Sequence, residues 1–206
     1  MDYVVLVDES DQQVGLMEKM EAHEKALLHR AFSVFLFNAS GEMLLQQRAL
    51  SKYHSGGLWT NACCSHPRPG ESNIEAAQRR TFEELGISPS IRHAFSFTYK
   101  AAFDNGLTEH EYDHVFVGQH NGEVQPDPAE VSAVCYKSMD LIRKELITDP
   151  HIYTAWFKIA FHQVEEHIES IIYRHAITIG SGYRFWRGRN GGGDPPGRER
   201  VFSNRI

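Results

Sequence analysis

The order of apolar and polar positions predicts strands interleaved with helices over the first 173 residues. Val4–Val7 is a short β-branched run. Ala31–Phe37 (AFSVFLF) is continuously apolar, the pattern of a strand covered on both faces. Asn38-Ala-Ser-Gly41 is a turn cluster, and Met43–Gln47 returns as the second arm of a hairpin. Trp59–Cys64 reads as extended chain. Ser72-Asn-Ile-Glu75 is a capping box that opens a helix through AAQRRTFEELG, and Gly86 stands where a left-handed C-cap belongs. On that helix Ile74, Ala77, Thr81 and Leu85 recur at the spacing of one core face. Ala94–Ala101 and Tyr112–Gly118 read as further strands. Pro150–Ile172 reads as an amphipathic helix carrying Ile152, Trp156, Ile159 and Ile168. There is no internal repeat. The fold class is therefore α+β, a mixed or antiparallel sheet flanked by helices.

Composition and charge set the boundaries. A chain of 206 residues that is 41% hydrophobic can bury one substantial core. From Arg174 to Ile206 seven arginines stand against Asp194 and Glu199, a local balance of +5, which leaves −11 on residues 1–173. The segment GRNGGGDPPGRER is too polar and too rich in Gly and Pro to fold alone. A domain of residues 1–173 followed by a poorly ordered basic extension, 174–206, is the expected organisation. The net charge of −6 gives no reason to expect nucleic acid or an anionic membrane as partner. Met1–Asp11 has a short apolar run with acidic flanks, matching neither a secretory signal nor a membrane span. Three cysteines, two of them adjacent, do not form a disulfide framework, and a reducing cytoplasm suits them.

The chemistry begins at Ser65. The chain reads S-HPRPG-E-SNIEAAQ-RRTFEELGI, with Glu71 five residues on and Arg79-Arg80-Thr-Phe-Glu83-Glu84-Leu-Gly86-Ile87 after seven more. This resembles the Nudix box, a loop–helix–loop that gathers carboxylates around a divalent cation and a diphosphate. Hard cations such as Mg²⁺ share their shells between carboxylate and phosphate oxygens. Arg79 with Glu83, and Arg80 with Glu84, are i,i+4 pairs in which an arginine can orient a carboxylate. The alternative reading of such pairs is a solvated helix face, and the complete spacing including Glu71 is what weighs against it. Two positions depart from the box: Ser65 replaces its first glycine, and Arg80 replaces the glutamate that hydrolytic members use. An added cation in place of a carboxylate favours holding a diphosphate over cleaving it.

Three more segments fill out a constellation: Lys19-Met-Glu-Ala-His23 with Leu27-Leu28-His29, Trp59-Thr-Asn-Ala-Cys63-Cys64-Ser65-His66-Pro67, and Glu109-His110-Glu111. With Arg48-Ala-Leu-Ser-Lys52 they resemble the type 1 isopentenyl diphosphate isomerases of the Nudix superfamily, over roughly the first four-fifths of the chain. The resemblance implies a Nudix-type α/β/α sandwich. It implies that His23, His29, His66, Glu109 and Glu111 ligate one Mn²⁺, Mg²⁺ or Zn²⁺. It also implies that Glu84 serves a second ion, Mg²⁺, that travels with the substrate diphosphate. Lys19, Arg48, Lys52, Ser65 and Arg80 would bind the phosphates. In extended chain Glu109 and Glu111 share a face, as do Cys64 and His66. His23 and His29 lie six apart, so a helix break must bring them together. Cys63, Cys135, His54, His93, His110, His114 and His120 read as packing or surface residues.

The reaction so implied moves a double bond between isopentenyl and dimethylallyl diphosphate in isoprenoid precursor synthesis. It adds a proton at one carbon and removes one two carbons away, through a tertiary carbocation. Such a path needs an acid and a base on opposite faces of the substrate and exclusion of water. By resemblance Cys64 and Glu111 are that pair and Tyr99 assists. Trp156 is either an aromatic lying over the cation or a core anchor. The rival readings are a Nudix pyrophosphohydrolase and a non-catalytic module that binds metal or diphosphate. The sequence leaves the oligomeric state open.

Overall fold

The computed structural model describes residues 2–178, with side chains through residue 171. Its elements are β1 (Tyr3–Val7), β2 (Gln13–Glu18), α1 (Lys19–Glu24), β3 (His29–Phe37), β4 (Met43–Arg48), β5 (Trp59–Thr60), β6 (Cys63–Ser65), α2 (Asn73–Leu85), β7 (Ile91–Ala102), β8 (Thr108–Gln119), β9 (Val131–Lys137), α3 (Met139–Thr148), a 3₁₀ turn (Pro150–Ile152) and α4 (Ala155–Thr178). The chain divides into one compact unit, Met1–Ile168, and a second, Glu169–Ile206. Helical backbone continues to Thr178, past the boundary placed near Tyr173, and the basic extension from residue 179 onward lies outside the described residues. Among the described residues no helix is long and apolar enough to cross a membrane.

The sheet is mixed and centred on β3. This strand pairs in parallel with β8 from His29↔Glu111 to Phe37↔Gln119. Its other edge is shared by β6, at Phe32↔Ser65, Ser33↔Cys64 and Val34↔Cys63, and by single pairs to β1 and β4. The expected β3–β4 hairpin is thus a pairing at Phe37↔Met43 alone. Beyond it β4 turns away to pair with β9 and β5, which frees the edge of β3 for the cysteine strand.

Strand alternation explains the continuous apolar run. Phe32, Val34 and Leu36 pack with Ala76, Ala77 and Leu85 of α2 on one face. Phe35 and Phe37 pack with Ile142 of α3 and Phe157, Phe161 and Val164 of α4 on the other. Each wholly buried phenylalanine contributes about 1.5–3 kcal/mol. Two face assignments need correcting. Ile74, in the first turn of α2, is 40% exposed, and Glu84 is buried in its stead. The Pro150–Ile172 helix breaks at Tyr153, so the register of α4 starts later, burying Trp156, Phe157 and Ala160 and leaving Ile159 exposed. The capping box of α2 forms as expected, and Gly86 closes the helix at φ 67. A Cβ there would stand 2.9 Å from the Gln125 carbonyl oxygen, so glycine is required by both torsion and space.

Candidate active site

The open end of β3 and β8 gathers histidines and carboxylates. Ala26, at φ 52, ends α1 sharply and sends the chain into β3, supplying the break between His23 and His29. His23 Nδ1 bonds to the Lys19 carbonyl at 2.7 Å and His29 Nδ1 to the Leu27 carbonyl at 2.8 Å. A carbonyl only accepts, so each Nδ1 carries a proton and each Nε2 is the atom turned toward the cluster. His29 Nε2 lies 3.2 Å from His66 Nε2, which is 3.0 Å from Glu111 Oε1. His23 Nε2 is buried without a hydrogen-bond partner. One donor atom each from His23, His29, His66 and Glu111 lies within 4.8 Å of the others. Three imidazole nitrogens and a carboxylate oxygen converge here, a set that fits a divalent cation with nitrogen and oxygen ligands. Burial and the neighbouring His66 push His23 down to about 4, so its ring is neutral near pH 7.

Glu109 stands on the same face of β8 as Glu111, and Tyr99 lies directly opposite Glu111 on β7. The Tyr99 hydroxyl is 2.7 Å from Glu111 Oε2 and 3.0 Å from Glu109 Oε2. Burial, and then the charge of Glu111, push Glu109 well above the usual carboxylate range. Burial also works to raise Glu111, but its bonds to His29 and His66 outweigh this and hold it well below. The pair carries one negative charge more readily than two.

Cys64 faces this cluster from β6. Its thiol donates to Asn61 Oδ1 at 3.0 Å, and the indole N–H of Trp156 donates to its sulfur at 3.0 Å. Asn61 is fixed in turn, its amide donating to the carbonyls of Val34 and Cys63. Burial first, and Asp113 second, push the thiol up to about 12, so it is protonated near pH 7. The adjacent Cys63 points into the α2 face, as β alternation requires.

Lys19, Arg48, Lys52 and Arg80 line the same cavity of about 410 Å³ as Cys64 and Glu111, together with Ser65, Glu84 and Glu130. Arg80 bridges Glu84 at 2.6 Å, Glu83 at 2.8 Å and Glu130 at 3.4 Å. Arg79 makes its main fork with Glu71, at 2.6 and 2.8 Å, and reaches Glu83 at 3.2 Å. Lys52 pairs with Glu130. Glu84 accepts from Gln46 at 3.0 Å and is pushed up by burial. Trp156 is buried in the core and also forms part of the cavity wall, with the Arg48 guanidinium 5.1 Å from its ring.

Sequence reasoning missed three residues here. His54, read as packing, is 7% exposed and lies 3.4 Å from Glu109. Asp113 accepts from Ser33 at 2.7 Å, and burial with the Glu111 charge pushes it up to about 8. The alternation of Glu109, Glu111 and Asp113 could have revealed it. Glu130 lies outside any motif, and only the fold brings it to Lys52 and Arg80.

A NUDIX domain model matches residues 27–157. Solved structures share the fold at low identity: a Deinococcus radiodurans protein at TM-score 0.66 and 19% identity, covering 79% of this chain and 98% of that one. A Methanosarcina mazei MutT protein follows at TM-score 0.56 and 20% identity, covering 68% and 94%. The Pectobacterium atrosepticum isopentenyl-diphosphate Delta-isomerase is 49% identical over 164 residues, 80% of this chain and 92% of that protein. Its Burkholderia multivorans counterpart is 47% identical over 154 residues, 75% of this chain and 88% of that protein. The chain belongs to the NUDIX family and, within it, to the type 1 isopentenyl-diphosphate Delta-isomerases.

Proposed function

We propose that this isomerase interconverts isopentenyl and dimethylallyl diphosphate by proton exchange at two stations on opposite faces of the substrate, Cys64 and Glu111. The supporting observation is the arrangement around Cys64: a protonated, partly buried thiol oriented by Asn61 and Trp156, in one cavity with a carboxylate dyad bridged by Tyr99. One station gives up a proton as the other receives one, and the roles exchange between the two directions. Tyr99 supports the Glu111 station by holding its carboxylate. The Trp156 ring, set in the wall, can face the carbocation, an interaction of about 2 kcal/mol when desolvated. The reaction requires that water, which would capture the cation, be kept from the reacting carbons.

His23, His29, His66, Glu109 and Glu111 are the residues we assign to a Mn²⁺, Mg²⁺ or Zn²⁺ ion, and Glu84 to a Mg²⁺ ion carried with the diphosphate. When bound, these ions supply positive charge that fixes Glu111 and neutralises phosphate. Lys19, Arg48, Lys52, Ser65 and Arg80 hold the diphosphate as point charges, forks and a hydroxyl. We place the enzyme in a reducing cytoplasm, which suits the free Cys63, Cys64 and Cys135. Arg80 stands where hydrolytic relatives carry a carboxylate, which speaks against pyrophosphate cleavage. The test is NMR of isopentenyl diphosphate in heavy water with Mg²⁺ and Mn²⁺. Deuterium entering the dimethylallyl product supports the reading, and phosphate release without isomerisation sinks it.

A further inference from the structure

A second donor set overlaps the first. His23, His54 and Glu109 offer one ligand atom each within 4.8 Å of one another, all three buried. His54 makes its hydrogen bond at Nδ1, to Ser55 Oγ at 3.2 Å. Its Nε2 faces Glu109 Oε1 at 3.4 Å, longer than the roughly 2.7–2.9 Å of a charge-assisted N–H···O⁻ bond. The ring is held in place by stacking on Phe103, centroids 4.6 Å apart and 12° from parallel. The residue common to both sets is His23, 0% exposed, whose Nε2 has no hydrogen-bond partner. That nitrogen has a single lone pair and can serve only one ion.

We infer that His54 is a sixth protein ligand of the same ion, so that His23, His29, His54, His66, Glu109 and Glu111 together fill its coordination shell. This rests on the reading of the histidine–carboxylate cluster as a metal centre. Ligands about 2.1 Å from one ion stand roughly 3 Å apart when adjacent and about 4.2 Å apart when opposite. Each set spans up to 4.8 Å and the two meet at His23, so the side chains must draw inward for all six donors to reach one ion. A shell completed by protein leaves the ion no open position. Its task is then to hold Glu109 and Glu111 beneath Tyr99, and the substrate meets the carboxylate.

The test uses Co²⁺ added to the metal-free full chain, followed by visible absorption and by equilibrium dialysis. Six-coordinate Co²⁺ absorbs weakly, and intensity rises as coordination falls. Wild type should bind one ion at this centre with a weak band. His54→Phe keeps the stack on Phe103 but removes the nitrogen. It should give a stronger band and a Co²⁺ affinity lower by on the order of tenfold or more, at unchanged thermal stability of the metal-free form. A His54→Phe spectrum and affinity equal to wild type would overturn the sixth ligand and leave the five-residue centre standing, as would a wild-type band of lower-coordinate intensity. If wild type binds no more Co²⁺ than His29→Ala does, the metal centre itself fails and this inference with it.

Discussion

The indole N–H of Trp156 donates to the Cys64 sulfur at 3.0 Å, while the Arg48 guanidinium stands 5.1 Å from the same ring. One side chain thus contacts the Cys64 thiol, walls the cavity and backs onto the Arg48 guanidinium. Trp156→Phe separates these roles, because it keeps an aromatic wall and removes the N–H. A single hydrogen bond of this kind is worth about 1 kcal/mol, so kcat should fall about fivefold with KM nearly unchanged. Trp156→Leu should cost more, since the ring goes too. Equal kcat losses in the two variants would show that the ring contributes nothing.

On the proposed mechanism Cys64→Ala removes one of the two proton stations while leaving Lys19, Arg48, Lys52 and Arg80 in place. Isomerisation should fall by about 10²–10⁴-fold or more, the range of a positioned acid–base group, while diphosphate binding measured by calorimetry persists. Near-normal turnover in this variant would remove Cys64 from the mechanism.

Metal removal should act on stability as well as on activity. Without an ion, His23 Nε2 has no partner and the His29, His66 and Glu111 donors crowd one another. An ion present at 100 times its dissociation constant stabilises the fold by about 2.7 kcal/mol. For a chain of this size that is about 5–11 °C in melting temperature. Chelated protein should melt lower by that amount and recover with Mn²⁺ or Zn²⁺; a melting curve indifferent to chelation argues against a buried centre.

The fork between Arg79 and Glu71 predicts an acid-sensitive strut in the loop before α2. The hydrogen bonds from Arg79 hold the Glu71 carboxyl below its ordinary value. Its contribution is therefore complete above the unfolded value near 4.3 and is lost as pH falls through the folded one. Glu71→Gln should destabilise the protein by about 1–2 kcal/mol at pH 7 and by much less near pH 3, as read from urea midpoints. A difference between the two proteins that does not change with pH would disprove the strut.

How much of this was legible depends on distance along the chain. The Ser72 capping box, the Gly86 cap and the box arginines were readable because each is a local pattern of torsion and spacing. The Glu109/Glu111 face followed from strand alternation. The parallel pairing of β3 with β8 was not readable, since register between strands about 80 residues apart leaves no local trace. That pairing sets His29 opposite Glu111, so the geometry of the cluster was hidden even where its members were named. His54 sits in an irregular loop between β4 and β5, where no periodicity says which way a side chain points. β9 and α3 escaped notice for a simpler reason: their apolar residues are too mixed with polar ones to show a clean period.

Arg80 offers the sharpest separation of isomerase from hydrolase. It lies among Glu84, Glu83 and Glu130 at 2.6, 2.8 and 3.4 Å, three carboxylates that its charge allows to stand together. Arg80→Glu restores the carboxylate of the hydrolytic box but places a fourth negative group in that cluster. Repulsion then opposes a diphosphate that already needs cations, and the lost charge-assisted contact alone is worth about 1.5–3 kcal/mol. The KM for isopentenyl diphosphate should rise about 10–100-fold, and Arg80→Lys should recover part of it by returning a point charge without the fork. Neither variant should release phosphate if Arg80 serves to hold the diphosphate. Phosphate release by Arg80→Glu with an unchanged KM would show that Arg80 blocks a latent hydrolase and does not hold the substrate.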